Sequence, residues 1–519
     1  MTLLNDLGTF CLNRHFYVPI YLLKNREQSM KQMQGLDAAF VAFEQPNAPI
    51  HIGSMLIYDP STAPGGFVRF KDILNFIKGR LRLAPTMRQR MVKAPFDIDY
   101  PYWVKDPKFD LEYHVRHVAL PKPGDWRQLC ILAARNFARP LDLSRPPWEF
   151  LVVEGLDNID GVPEGSFAIL TKVHHAAIDG LSGVDIMHAL HTLDPEIDRI
   201  PDPDPWKPEK MPSQFGLFAR GYVRAWTNPV RQAGVALRSV PGLAKAATGI
   251  VKGDLDVAGA LRTPRTRFNN TISPHRVIEG VSFSLADIKS LRRLVDGATV
   301  NDVVLSIVGG AMGRYLTLYG EAPTRSLSAM APISVRSNDQ RNTMGNEVSA
   351  MRVLLGTQFE DPLERLQFVT DETKKSKAMT DAVGARQMTE MSKLSPALFM
   401  GLGARAYSRW GLANRVRPLF NTVVTNVPGP QVPLYSAGAK LVGLYGNLCL
   451  LDGLGIGHVV HSYLEDITIG VVACREAMPD PENYVNCLND SFEAHMDALG
   501  LTPAQSRTDP PEPEAVAAE

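Results

Sequence analysis

The spacing of apolar residues along the chain predicts several amphipathic helices. In the first half, apolar side chains stand at positions 70, 73, 74, 77 and 81, and the stretch 127–138 has the same periodicity. In the second half, Ser284 with Asp287 and Thr299 with Asp302 have the spacing of capping boxes, which mark helix starts. The sequence therefore predicts two helices in each half.

Strand-like segments rich in β-branched residues alternate with these helices, and Gly, Pro or Asn residues separate them. They are 51–58, 167–173, 326–335, 346–355, 421–427 and the hairpin-like 458–474. Helices and strands are thus mixed in both halves. The predicted fold class is α/β, with mixed sheets.

The composition is that of a folded globular chain. Its 519 residues are 45% hydrophobic and 21% charged, which allows two to four domains. Lys plus Arg number 55 and Asp plus Glu number 55, a balance that argues against bulk electrostatic binding to nucleic acid. Five cysteines without zinc spacing, and no signal-like or membrane-spanning apolar stretch, predict a cytoplasmic protein without a metal.

Changes in composition divide the chain into five segments. They are an N-terminal extension at 1–29, a mixed domain at 30–195, a linker at 196–278, a second mixed domain at 279–502, and an acidic tail at 503–519 that we expect to be disordered.

The linker contains a strongly basic stretch. From Trp206 to Gly253 there are eight basic residues and one acidic residue, a local charge of 8 − 1 = +7, with aromatic residues interleaved. Such a pattern is typical of interfacial helices at an anionic membrane. The alternative is a solvated linker whose apolar side packs on the domains.

The sharpest chemical feature is an HHxxxDG septet that follows the predicted strand 167–173. Neighbouring side chains of a strand point to opposite faces, so His174 and His175 face one pocket only if the strand ends there. A neutral imidazole can remove a proton from a hydroxyl near neutral pH. We therefore expect one histidine to be a general base and the other to support it, while Gly180 allows a sharp turn that returns Asp179 to the strand end.

Two other interpretations of the septet are open. In the first, the histidines only bond backbone groups and Asp179 caps a turn. In the second, His188, His191 and Asp194 join the septet in a metal site, although no HExxH motif completes it. The sequence lacks a GxSxG elbow and a GxxxxGK loop, which disfavours a serine nucleophile and nucleotide chemistry.

The chain resembles the bacterial wax ester synthase/acyl-CoA:diacylglycerol acyltransferases, within the CoA-dependent acyltransferases that use HHxxxDG. Segments that carry the resemblance occur in order from about residue 30 to 500. They are MQGLDAAF (33–40) in part, FDLEYHVRHVALPKPG (109–124), PLDLSRPPWEF (140–150), the septet, TVNDVVLSIVGGAMGRYL (299–316), PISVR (332–336), MGNEVS (344–349), TNVPGP (425–430) and LDGLGIGHVVHSY (451–463).

Two departures from the family pattern stand in these segments. The usual Pro-Leu-Trp is Pro146-Pro147-Trp148 here, and His458 stands where an asparagine is more usual. We expect both to affect the shape of the acyl or acceptor pocket and neither to touch the septet.

The resemblance implies two chloramphenicol-acetyltransferase-like domains with the histidines in a solvent channel between them. It implies that His175 is the general base and His174 a supporting residue. Asp179 would be a structural anchor paired with an arginine, for which Arg336 is a candidate, and Gly180 would support the site.

Three further residues receive roles from the resemblance. Asn301 would donate a hydrogen bond to the oxyanion or orient the base. Asp302 would cap its helix and so support the site. Trp148 is a candidate substrate contact, with a place in the core as its alternative.

The implied reaction moves a long-chain acyl group from acyl-CoA to diacylglycerol or a fatty alcohol, giving triacylglycerol or wax ester. No cofactor is implied, because acyl-CoA is a substrate. The expected location is the cytoplasmic face of the inner membrane or the surface of lipid droplets. A homodimer is a possible assembly. The alternatives are a condensation-domain-like enzyme that uses carrier-protein thioesters, and a non-catalytic lipid-droplet surface protein.

Overall fold

The structure is a computed structural model. It describes residues 31–33, 35–178, 183–196, 211–223, 263–334, 348–383 and 406–500. The strands are β1 Lys31–Gln32, β2 His51–Asp59, β3 Gln89–Val92, β4 Tyr102–Lys105, β5 Val115–Ala119, β6 Trp148–Leu156, β7 Ser166–His174, β8 Arg276–Ser284, β9 Ser328–Ser334, β10 Val348–Leu354, β11 Thr422–Pro428, β12 Tyr435–Ser436, β13 Ala439–Asn447, β14 Ile456–Tyr463 and β15 Asp466–Cys474.

The α-helices for which both ends are defined are Gly35–Phe43, Phe70–Arg80, Leu111–His114, Trp126–Phe137, His175–Ile178, Gly183–Leu190, Leu285–Leu291, Val300–Leu318, Pro362–Val383 and Pro481–Ala498. The four predicted helices and the predicted strands are confirmed, within a few residues at their ends. Among the described residues, no helix combines the length and the apolar character needed to cross a membrane.

The first six-stranded sheet has the order β12-β13-β2-β7-β6-β5. β7 lies near its centre, antiparallel to β2 on one side and to β6 on the other, and all nine of its residues are buried. Burial on both faces explains why most of this strand is apolar instead of alternating. Its buried Lys172 is an exception, and Nζ of that residue pairs with Glu149 at 3.1 Å. The carboxyl end of β7 therefore delivers the septet from a rigid element.

The second six-stranded sheet has the order β10-β9-β11-β14-β15-β8, with β11 parallel to both β9 and β14. The helix Val300–Leu318 begins at a complete Thr299/Asp302 capping box and is buried over most of its length. It packs against the helix Pro481–Ala498, where Ser306 Oγ lies 2.9 Å from His495 Nε2.

A strand exchange joins the two sheets. β13 comes from the second half of the chain, yet it pairs with β2 in the first sheet. At this crossing the sheets approach closely, since a Cβ added at Gly470 would lie 2.1 Å from the Gly446 carbonyl oxygen. The predicted division at residue 279 is therefore not a division between the sheets, because β12 and β13 belong to the first one.

The structure describes parts of the predicted linker 196–278, at 211–223 and from residue 263 onward. Phe268 is fully buried in the core of the second half, and β8 begins at Arg276, before the predicted boundary. A helical segment at 214–223 buries Leu217 against the small sheet β1-β4-β3. These parts pack on the domains, and both interpretations of the linker stay open. The remainder of the basic stretch lies outside the described residues.

Candidate active site

The backbone changes direction between the two histidines of the septet. β7 ends at His174, and the short helix His175–Ile178 begins at the next residue. His174 has no exposed surface, whereas His175 is partly exposed. This break meets the condition under which two adjacent histidines can serve one site, and it gives them different environments.

His175 is held by contacts on two sides. Its backbone N–H donates to the Ile50 carbonyl at 2.9 Å, and its ring lies on the Phe40 ring with 3.9 Å between centroids. Burial lowers the pKa of His175 to about 4. The imidazole is therefore neutral at physiological pH, which is the form that can accept a proton.

His174 contacts a carboxylate that the sequence analysis did not select. Its Nδ1 accepts a hydrogen bond from the Ala176 backbone N–H at 3.1 Å, so a neutral ring carries its hydrogen on Nε2. That Nε2 lies 3.7 Å from Oε2 of Glu44, whose side chain is 15% exposed. Glu44 thus faces His174 from the residue that follows the helix Gly35–Phe43. The sequence analysis missed this contact because a single glutamate at the end of a helix belongs to no recognisable motif.

We expect Glu44→Gln to lower kcat/KM about tenfold, which corresponds to about 1.4 kcal/mol. The substitution keeps the size of the side chain but removes the charge that faces His174 Nε2. The measurement is the steady-state rate of acyl transfer, with Glu154→Gln as a matched control because that glutamate pairs with His117 away from the septet. Equal rates for wild type and Glu44→Gln would show that the contact between His174 and Glu44 does not contribute to catalysis.

Asn301 and Asp302 start the helix Val300–Leu318. Asn301 Oδ1 lies 3.4 Å from Asn426 Nδ2, which donates to it from β11. Asp302 Oδ2 accepts from the backbone N–H and the hydroxyl of Thr299, at 2.9 and 2.7 Å. The capping role predicted for Asp302 is confirmed. The role of Asn301 at the oxyanion stays a prediction.

Trp148 lies in the core of the first half. It is 1% exposed, and its Nε1 donates to the Met87 carbonyl at 2.7 Å. This placement favours the packing interpretation over a substrate contact. The backbone carbonyl of the preceding Pro147 accepts a hydrogen bond from the backbone N–H of His174 at 2.9 Å, a main-chain contact that does not depend on the side chain at position 147.

The second departure, His458, is fully buried in the second half of the molecule. Its ring nitrogens lie 3.0 Å from Thr422 Oγ1 and 2.7 Å from Tyr484 OH, and burial lowers its pKa to about 4. It is a neutral core residue. The expectation that it shapes a substrate pocket is therefore not supported.

Asp179, Gly180 and Arg336 lie outside the described residues, so their predicted roles stay predictions. His191, which the metal alternative used, contacts Tyr58 OH with Nε2 at 2.8 Å and the Met187 carbonyl with Nδ1 at 3.0 Å. Within the described ranges, no group of three His, Cys, Asp or Glu side chains is placed to hold a metal ion.

The fold is shared with solved acyltransferase structures. The wax ester synthase/diacylglycerol acyltransferase from Marinobacter aquaeolei matches with a TM-score of 0.65 and 23% identity, over 91% of this chain and 100% of that chain. This likeness shows the fold: two mixed six-stranded sheets, with the paired histidines at the end of a central strand of the first.

The chain belongs to the wax ester synthase/diacylglycerol acyltransferase family. The family's catalytic domain matches residues 33–304, more than half of the chain, and its C-terminal domain matches 344–495. A relative from Mycobacterium tuberculosis with the provisional name diacylglycerol O-acyltransferase is 33% identical over 467 residues, 89% of this chain and 98% of that protein. The O-acyltransferase WSD of Acinetobacter baylyi is 28% identical over 89% of this chain and 96% of its own length.

Proposed function

We propose that this protein transfers a long-chain fatty acyl group from acyl-CoA to diacylglycerol, to a long-chain alcohol, or to both. The observation that carries the proposal is the partly exposed, neutral His175 at the end of the central strand of a member of this family. Family membership favours this reaction over the carrier-protein and lipid-droplet coat alternatives.

His175 acts as the general base in the proposed mechanism. It takes the hydroxyl proton of the acceptor while that oxygen attacks the thioester carbon of acyl-CoA. The tetrahedral intermediate collapses, the ester forms, and the CoA thiolate leaves with the electron pair of the C–S bond. The imidazolium then returns its proton to the thiolate. A thiol pKa of about 8.5 makes the thiolate a good leaving group, so no acyl-enzyme is needed.

Asn301 is the proposed donor to the negative carbonyl oxygen. Because its Oδ1 accepts from Asn426, its own amide N–H groups are directed away from that contact. We expect Asn301→Ala to lower kcat about 10²-fold with little change in KM, as for other oxyanion-hole donors. Steady-state kinetics with hexadecanol measures this, and Asn158→Ala on the surface is the control. A change confined to KM would assign Asn301 to substrate binding instead.

Both proposed acceptors are strongly apolar, so the reaction takes place at a lipid surface. Each buried methylene contributes about 0.8 kcal/mol to partitioning into lipid. The basic stretch from Trp206 to Gly253 would attract the enzyme to anionic headgroups. We therefore place the protein peripherally on the inner membrane or on lipid droplets.

The test of this proposal is a product assay with the purified full-length chain. Labelled palmitoyl-CoA is offered with diolein and with hexadecanol, and the lipid products are separated. We expect triacylglycerol, wax ester or both, with one CoA released for each ester formed. If the folded protein forms no ester from either acceptor, the proposed function is wrong.

A further inference from the structure

An exposed group of aromatic side chains lies where the linker meets the small sheet β1-β4-β3. Phe96, in the loop between β3 and β4, is 86% exposed, and Phe215 is 80% exposed. The Phe218 ring lies 6.4 Å from the Phe96 ring and 6.3 Å from the Tyr222 ring. We call Phe96, Phe215, Phe218, Tyr222 and Val223 the aromatic surface.

The helical segment 214–223 buries one apolar side and exposes further apolar side chains, next to the polar Gln214 and Arg220. Leu217 is buried against the sheet, and Gly221 packs so closely that an added Cβ would lie 2.6 Å from Ile98 Cγ2. Phe215, Tyr222 and Val223 have the i, i+7 and i+8 spacing of the opposite face. Tyr222 and Val223 are 50% and 60% exposed. A surface helix in water normally has a polar outer face, so this segment has the pattern of an interaction site.

The backbone of Phe96 supports the same conclusion. Its φ of 59° and ψ of 18° lie in the left-handed region, which is unfavourable for a residue with a bulky side chain. This conformation holds an aromatic ring almost fully in solvent, where the ring contributes little to packing. Backbone strain at an exposed residue that adds little to packing points to a role outside the fold.

We propose that the aromatic surface inserts into the headgroup region of an anionic lipid layer, an inference that rests on the proposed function. Aromatic rings favour the interface between water and hydrocarbon. The basic stretch that contains this helical segment has a local charge of +7 by its sequence. Among the described residues near the aromatic surface, Lys93 and Arg220 are basic and exposed, and Asp97 and Asp99 are acidic. An anionic lipid layer matches both the charge and the apolar side chains, and it contains the acceptor substrates.

Flotation of the full-length chain with lipid vesicles tests this proposal. The double variant F96N/F215N removes both exposed rings, and asparagine tolerates the left-handed backbone at position 96. The matched control is Leu318→Asn, which removes a 66% exposed apolar side chain in the second half. Vesicles of phosphatidylcholine alone are compared with vesicles that contain about 30% phosphatidylglycerol, because anionic headgroups attract basic segments.

We expect wild type and Leu318→Asn to float with the anionic vesicles, and the double variant to bind at least fivefold less. Added salt should weaken wild-type binding. The thermal midpoint of F96N/F215N should not fall, since no buried contact is lost. Its rate with hexanoyl-CoA and 1-hexanol, a short substrate pair, should match that of wild type, while its rate with vesicle-borne diolein should drop.

Each contrary outcome overturns a different statement. Equal flotation of the double variant and wild type would exclude the aromatic surface as the lipid contact. Unchanged flotation together with a loss of self-association in gel filtration would assign this surface to a second copy of the chain. No turnover of either substrate pair by wild type would instead reject the proposed function.

Discussion

Replacing His175 by alanine is expected to lower the rate of acyl transfer by a factor of about 10² to 10⁴, the usual contribution of general-base catalysis. The imidazole is neutral at pH 7 because burial lowers its pKa to about 4, so its base form is fully populated. The measurement is kcat/KM with palmitoyl-CoA and hexadecanol. We expect the main effect on kcat, since the proton transfer occurs only in the transition state.

The control for this experiment is His117→Ala. His117 lies in β5 of the same sheet, where it pairs with Glu154 and stacks on Phe70, and its loss should change the rate less than twofold. Circular dichroism and the thermal midpoint check that both variants fold. A folded His175→Ala variant with wild-type activity would remove this histidine from the mechanism.

Acidification from pH 7.5 to pH 5 is expected to reduce the free energy of unfolding by several kcal/mol. Among the described residues, five histidines have a pKa of about 4 in the folded protein, with burial as the largest cause. They are His175, His191, His458, His461 and His495. Each contributes at most about 1.4 kcal/mol per pH unit, and typical proteins have only 5–15 kcal/mol of stability.

The sign of this effect follows from proton binding. Below about pH 6.5 an unfolded histidine binds a proton, whereas these folded histidines stay neutral until about pH 4. The stabilising contribution is therefore complete above pH 6.5 and is lost as the pH falls toward 4. Urea unfolding at a series of pH values measures it.

The matched variant for the pH series is His458→Asn, which removes one of the five titrating groups. The slope of the unfolding free energy against pH should decrease by up to about 1.4 kcal/mol per pH unit. The comparison uses slopes, so a constant loss of stability in the variant does not affect it. An unfolding free energy that stays flat between pH 7.5 and 5 would contradict the proposed burial of these rings.

Local sequence signals were sufficient for many elements. The Thr299/Asp302 capping box placed the start of the helix Val300–Leu318, because both hydrogen bonds of the box depend on residues three positions apart. The mostly apolar run before the septet marked β7, because a run of neighbouring apolar residues is a local feature of the sequence. The break between His174 and His175 is the condition that the sequence set for both rings to face one pocket.

Contacts between distant segments were not predictable in this way. The pairing of β13 with β2 joins residues almost 400 positions apart, and no local pattern specifies a partner at that distance. The approach of Glu44 to His174 is likewise a product of tertiary packing. Trp148 shows a different limit of sequence analysis. A residue in a family motif can be needed for packing as well as for binding, and the motif alone does not distinguish the two roles.

The central claim is that His175 acts as the general base. The most direct test of this claim compares two acceptors of different acidity. A thiol gives up its proton more readily than an alcohol, so its attack on acyl-CoA depends less on a general base. The rates of wild type and His175→Ala are measured with hexadecanol and with 1-hexadecanethiol. If His175 is the base, its removal lowers the rate much more for the alcohol than for the thiol. An equal loss with both acceptors would contradict the account.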